Sequence, residues 1–177
     1  GASPAAIAEI EAKWGLNDPL YVQYLRFIGN LLTLDSGVSL RYQSSVWSVV
    51  RPKMINTFIL VAPAITLAYV VGSAIGALMG TRHGSRFEKY GIIPIVYAGA
   101  FPSFITAIFL VVVFSLILGW FPSQGILSAE TTTRLVGAAT WERYLNWDFA
   151  MHYVLPFSAV FFRYLYLQAR IMRTRIV

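Results

Sequence analysis

Apolar and polar residues fall along this chain in long blocks. Between Met54 and Met79 the sequence MINTFILVAPAITLAYVVGSAIGALM carries no Asp, Glu, Lys or Arg. At about 1.5 Å per residue a helix of that length reaches about 39 Å, enough to cross a hydrocarbon layer of about 30 Å with some tilt. Ala64, Ala68, Gly72, Gly76 and Gly80 recur every fourth residue, so one side of this helix is nearly bare backbone. In lipid, where apolar burial gives helices little reason to associate, such strips are a main route to close packing. A second apolar run, about 92–119, has Pro94 and Pro102 near its start, which predicts a kink or a half-helix break there. Gly99, Ser103 and Ala107 form another four-residue strip in it. The two strips are expected to pack on each other, or on a partner subunit. A third run begins near Val154-Leu155-Pro156 and continues through Gln168 and Arg170 to the end of the sequence.

The polar blocks orient these runs. Ser3, Pro4 and Gly15 predict a short surface helix between them, with Asn17-Asp18-Pro19 as a turn that can cap the next helix. Leu20, Tyr24, Phe27, Ile28 and Leu31 then share one side of a segment too polar and too short to span. It should lie at the membrane interface or on the extracytoplasmic ends of the spans. Leu34 to Gly37 reads as a turn, and a second short amphipathic piece near Ser44 to Val50 leads to Arg51-Pro52-Lys53, where Pro52 marks the entry into the first span. The loop TRHGSRFEKY, 81–90, sets Arg82, Arg86 and Lys89 against Glu88 and is cytoplasmic by the positive-inside rule. Arg51 and Lys53 argue mildly against that orientation but lie on a longer translocated segment, where the rule is weaker. Arg170, Arg173 and Arg175 place the end of the third run inside as well. Trp120 and Phe121 mark the far interface, and the loop 120–153 has nearly balanced charge. Its Trp141, Tyr144, Trp147 and Phe149 predict an amphipathic helix resting on the membrane surface. The fold class is therefore an all-α polytopic membrane protein with three transmembrane helices, about 54–79, 92–119 and 154–177. An extracytoplasmic amphipathic segment, 1–53, precedes the membrane domain, 54–177.

Composition agrees with that class. The chain is 57% hydrophobic and 12% charged, with a mean hydropathy of +0.62, whereas soluble domains hold about a quarter charged residues. A net charge of +6 would suit nucleic acid, but the basic residues are scattered or gathered at helix ends, so no nucleic-acid partner is expected. There is no Cys, which removes disulfides and thiolate metal sites. The sequence opens on Gly with no signal peptide, as a piece of a longer polypeptide or a processed one would.

Chemistry-bearing groupings are few. A phosphate-cradling GxxxxGK[ST] loop is absent, since Gly80 to Ser85 lacks both the spacing and the Lys. His83 and His152 are the only imidazoles, on opposite membrane sides in this topology, so no metal site is expected. No HExxH or Ser/His/Asp grouping occurs, and the chain is not expected to be an enzyme. Arg163 stands about seven residues inside the third run. A charge at that depth usually faces a bundle interior or a water-filled path, which makes Arg163, with Tyr164, Tyr166 and Gln168, the candidate lining of a translocation path. Snorkelling or pairing with a partner subunit is the competing reading for Arg163, and Arg170 reads better as an interfacial anchor.

Several phrases carry a resemblance. WGLNDPLYVQYLRFIGNLLTLDSGVSL (14–40), RHGSRFEK (82–89), PSF (102–104), LGWFPSQG (118–125) and HYVLP (152–156) resemble, in the family's order and over essentially the whole chain, the inner-membrane permease subunits of dipeptide and oligopeptide ABC importers. The resemblance implies a multi-pass permease in the plasma (inner) membrane, forming part of the pathway for peptides or similar small solutes. It implies a second permease subunit, cytoplasmic ATPase subunits and an extracytoplasmic solute-binding protein as partners, besides membrane lipid. ATP and Mg would sit on the ATPases, with no cofactor in this chain. Members that resemble this group also carry nickel complexes or oligosaccharides. Two departures stand out: family members have a further membrane helix before this region and a cytoplasmic EAA coupling loop after it. An ion-coupled secondary transporter and a non-transporting membrane scaffold are the competing classes; the first calls for ionisable residues or broken helices at midplane, for which Arg163 alone is thin support.

Overall fold

The computed structural model describes residues 11, 15–35, 37–39 and 41–176. The surface helix expected between Pro4 and Gly15 falls almost wholly outside these residues. Two compact units emerge, 1–56 and 57–177.

In the first unit, α1 (Leu20–Leu32) starts at Pro19 without a side-chain cap. Asp18, a possible cap, is taken instead by Arg26 at 2.8 Å, and Gln23 Nε2 donates to the carbonyls of Leu16 and Asp18 at 3.0 and 2.7 Å. No residue of α1 is buried. Leu34 (φ 58°) and Gly37 (φ 68°) shape the turn beyond it. Next comes a departure from the all-α expectation, a two-residue antiparallel pair of β1 (Val38–Ser39) and β2 (Ser44–Ser45). The chain can double back there because Gln43 adopts φ 49° while its N–H reaches the Ser39 carbonyl at 2.8 Å. The amphipathic piece expected over 44–50 is not a separate element. Helix α2 begins at Val46 and runs 36 residues to Thr81, so Pro52 lies inside the helix rather than at its entry. Its neighbourhood is exposed, where water can meet the carbonyl that a proline leaves without a donor.

The second unit holds the rest of α2, then α3 (Arg86–Ala100), α4 (Ser103–Leu110) and a π-helical stretch Val111–Ile117. After these come α5 (Ala129–Arg134), a 3-10 turn Thr140–Arg143 and α6 (Trp147–Ile176). Helix α3 opens on Ser85, whose Oγ accepts from the Glu88 N–H at 3.2 Å, the N-cap bond that leaves one fewer donor unmet. Pro94 sits within α3, whereas Phe101 (ψ 145°) and Pro102 (ψ 142°) turn extended and separate α3 from α4. The second apolar run is thus two helices, as steric pressure from Pro102 on Phe101 favours.

Helix α6 starts seven residues before the expected Val154. Asn146 Oδ1 accepts from the Phe149 N–H at 2.8 Å, and Asp148 lies in the first turn, where the helix dipole favours an acid. The expected amphipathic helix over 141–149 does not form. Trp141 belongs to the 3-10 turn, while Trp147 and Phe149 open α6.

The core gathers around α6, which packs against both α3 and α4. Ala64, Ala68 and Ala169 are fully buried. A Cβ at Gly72 would lie 3.0 Å from Gln168 Cβ, one at Gly76 would press on the Ala169 carbonyl, and one at Gly80 would lie 2.7 Å from Ile176 Cβ. Gly99 is covered by the Tyr166 ring. Gly72, Gly76 and Gly80 of the first strip and Gly99 of the second therefore meet α6. Close approach needs only that the opposing surface be backbone or a flat ring, and α6 supplies both. Ser103 is exposed, and Ala107 lines a small cavity beside Leu155 and Pro156.

Candidate translocation-path site

The polar residues expected on the third run are distributed along α6 and engaged with neighbouring helices. Arg163 Nη1 donates to the Gly99 carbonyl at 2.9 Å. Gln168 Nε2 donates to Ser73 Oγ of α2 at 2.9 Å. Tyr166 lays its ring on Gly99 and its hydroxyl accepts from Arg170 Nη1 at 3.1 Å. Tyr164 is half-buried and Arg170 exposed. A further α6 residue, absent from the sequence-based candidates, belongs to the same group: the Tyr153 hydroxyl donates to the Ile59 carbonyl of α2 at 3.0 Å. The signal that could have found it is Pro63, four residues after Ile59. Together these groups join α2, α3 and α6 by directed hydrogen bonds.

At the other end of α3, Glu88 is 5% exposed and collects donors. Its carboxylate accepts from the Gly84 N–H at 2.7 Å, from Arg173 Nε at 2.7 Å and faces His83 Nδ1 at 3.1 Å. The Gly84 bond first, then Arg173, then His83, hold its pKa at about 2 from an ordinary 4.5, against the opposing effect of burial. Gly84 itself has φ 78°, a conformation that suits glycine and aims its N–H at the carboxylate. Of the basic residues read as cytoplasmic signals, Arg173 is thus drawn to Glu88 in the first turn of α3. Arg82, Arg86, Lys89, Arg170 and Arg175 are exposed, with Arg82 lying 5.6 Å over the Phe87 ring.

At the opposite end of α6, an open groove of about 590 Å³ is lined by Trp120, Phe121, Arg134, Trp147 and Met151 among others. Asp148, also in its lining, accepts from the Ser128 N–H at 2.7 Å. His152 is anchored through Nδ1 to the Asp148 carbonyl at 2.8 Å.

No family model matches the chain. Individual proteins do: the oligopeptide transport system permease protein OppB of Haemophilus influenzae is 33% identical over 172 residues, 96% of this chain and 50% of that protein. The chain is homologous to bacterial peptide-transport permeases. AppB of Bacillus subtilis, another oligopeptide transport system permease protein, is 36% identical over 121 residues, 67% of this chain and 38% of its own length. The dipeptide transport system permease protein DppB of Alkalihalophilus pseudofirmus is 32% identical over 124 residues, 70% and 37% of the two chains. This permease homologue thus spans half or less of the curated relatives it matches. The homology makes it a non-catalytic membrane component. Among the described residues one helix, α2, is long and apolar enough to cross a membrane by length and composition. The second apolar run is divided at Pro102, and α6 carries Arg163, Arg170 and Arg173 along its length.

Proposed function

We propose that this chain forms part of the permease of an ATP-binding-cassette importer for peptides or similar small solutes. The observation that carries the reading is the 33% identity that runs through 96% of the chain to an oligopeptide transport permease. In this reading the chain crosses the plasma (inner) membrane three times, over about 54–79, 92–119 and 154–177. The divided second run crosses as two half-helices. Three crossings put the 82–89 loop and the 170–175 stretch on one side, and the Glu88–Arg173 bond supports that placement. The basic residues gathered there make that side cytoplasmic. A second permease subunit completes the pathway, and ATPase subunits carrying ATP and Mg drive it. A solute-binding protein delivers substrate at the end that holds the Trp120–Trp147 groove. The chain itself carries no cofactor.

Two measurements test this. Single cysteines placed at Ser85 and Ser123 of the cysteine-free chain should react with an impermeant thiol reagent from opposite membrane faces; labelling of both from one face overturns the topology. Disrupting the gene should abolish uptake of a labelled oligopeptide that depends on ATP. Uptake that persists in the disrupted strain, or that tracks an ion gradient and not ATP, overturns the importer reading.

A further inference from the structure

A helical carbonyl accepts from the N–H four residues on, so each proline leaves the carbonyl four residues before it without a donor. In lipid no water replaces it, and an unmet carbonyl is costly. Pro63 lies inside α2, and the carbonyl it abandons is that of Ile59. That carbonyl is the one the Tyr153 hydroxyl of α6 reaches at 3.0 Å. Pro102 acts differently but to the same end. By turning Phe101 and itself extended it carries the Ser103 N–H away to open α4, and the Gly99 carbonyl loses its helical donor. That carbonyl is the one Arg163 of α6 reaches at 2.9 Å. The guanidinium also sits at the C-terminal end of α3, the negative end of its dipole. Neither coincidence needs the other.

We propose that Tyr153 and Arg163 are positioning residues whose task is to supply the donors that Pro63 and Pro102 remove, so that α6 serves as the hydrogen-bond donor for two interrupted helices. Arg163 then lies at membrane depth because a broken helix ends there, and not because a solute passes it. The two half-helices α3 and α4 keep a stable joint at Phe101–Pro102, and α2 keeps its proline without unwinding. The proposal rests on the permease reading only where uptake is concerned.

The test is a pair of double-mutant cycles read as thermal midpoints of the purified protein in detergent. Tyr153→Phe should lower the midpoint by about 1–2 °C, as loss of one interhelical hydrogen bond in a chain of this size does. In a Pro63→Ala background, where the residue-63 N–H takes the Ile59 carbonyl, the same change should cost nothing measurable. Arg163→Met should likewise cost more beside Pro102 than in a Pro102→Ala background, and Arg163→Lys, which keeps a cationic donor, should retain part of what Arg163→Met loses. Equal losses with and without the proline, in either cycle, overturn the assignment for that residue. Because the midpoints need no transport, coupling without uptake would count against the importer reading and for this one.

Discussion

Replacing Gly76 by Ala probes the seam on which the second unit is built. In an exposed helix the change would stabilise by about 1 kcal/mol, since Ala loses less backbone entropy. At Gly76 the new Cβ presses on the Ala169 carbonyl oxygen and lies 2.8 Å from Met172 Cβ. Carbon contacts settle at about 3.5–4.0 Å, so α2 and α6 must part by about 1 Å. Forced separation of a close-packed interface costs about 1–3 kcal/mol. It also stretches the 2.9 Å bond between Gln168 and Ser73, worth about 0.6 kcal/mol for an average interhelical bond in a membrane. The balance is a loss of about 0.6–2.6 kcal/mol, or a midpoint about 1–10 °C lower by far-UV circular dichroism in detergent. Gly29→Ala in α1, where nothing lies within 4 Å, is the matched control and should gain up to about 1 kcal/mol. A Gly76→Ala protein as stable as the parent would refute the packing argument, because propensity alone would then explain both changes.

The loop and the helix starts carry further expectations. The folded-state pKa of Glu88 is depressed, so its contribution to stability is complete above its ordinary 4.5 and is lost as pH falls through about 2. Midpoints measured across that window should fall for the parent and stay flatter for Glu88→Gln; parallel slopes would remove Glu88 as the source. Ser85→Ala and Asn146→Ala each delete an N-cap bond and should cost about 1 kcal/mol in chemical denaturation. Ser85→Asp should retain most of that stability, since its carboxylate accepts the same bond.

How much of the fold is readable in the sequence depends on the range of the cause. The strip of Ala64, Ala68, Gly72 and Gly76 announces a close helix contact by spacing alone. Its partner is hidden, because the α6 residues it meets, Leu165, Gln168, Ala169 and Met172, form no repeat of small residues. Pro102 announces an interruption, but Pro94 carries the same local signal and stays inside α3. The early start of α6 is written in Asn146 and Asp148, and the eye passes over them because the apolar run begins later. Depth alone places the groups around Arg163 on a path, whereas their hydrogen bonds depend on which carbonyls other helices leave open. The two-residue strand pair follows a positive φ at Gln43, which no periodicity reports.

The bond between Glu88 and Arg173 joins residues 85 positions apart, and that interval is also a delay. At a synthesis rate of about 5–20 residues per second, the arginine leaves the ribosome about 4–17 s after the carboxylate. During that wait the 81–85 turn can close on Glu88 through Gly84 and His83 alone, leaving one side of the acid facing water. Arrival of α6 seals it, so a helix made later locks the α2–α3 hairpin.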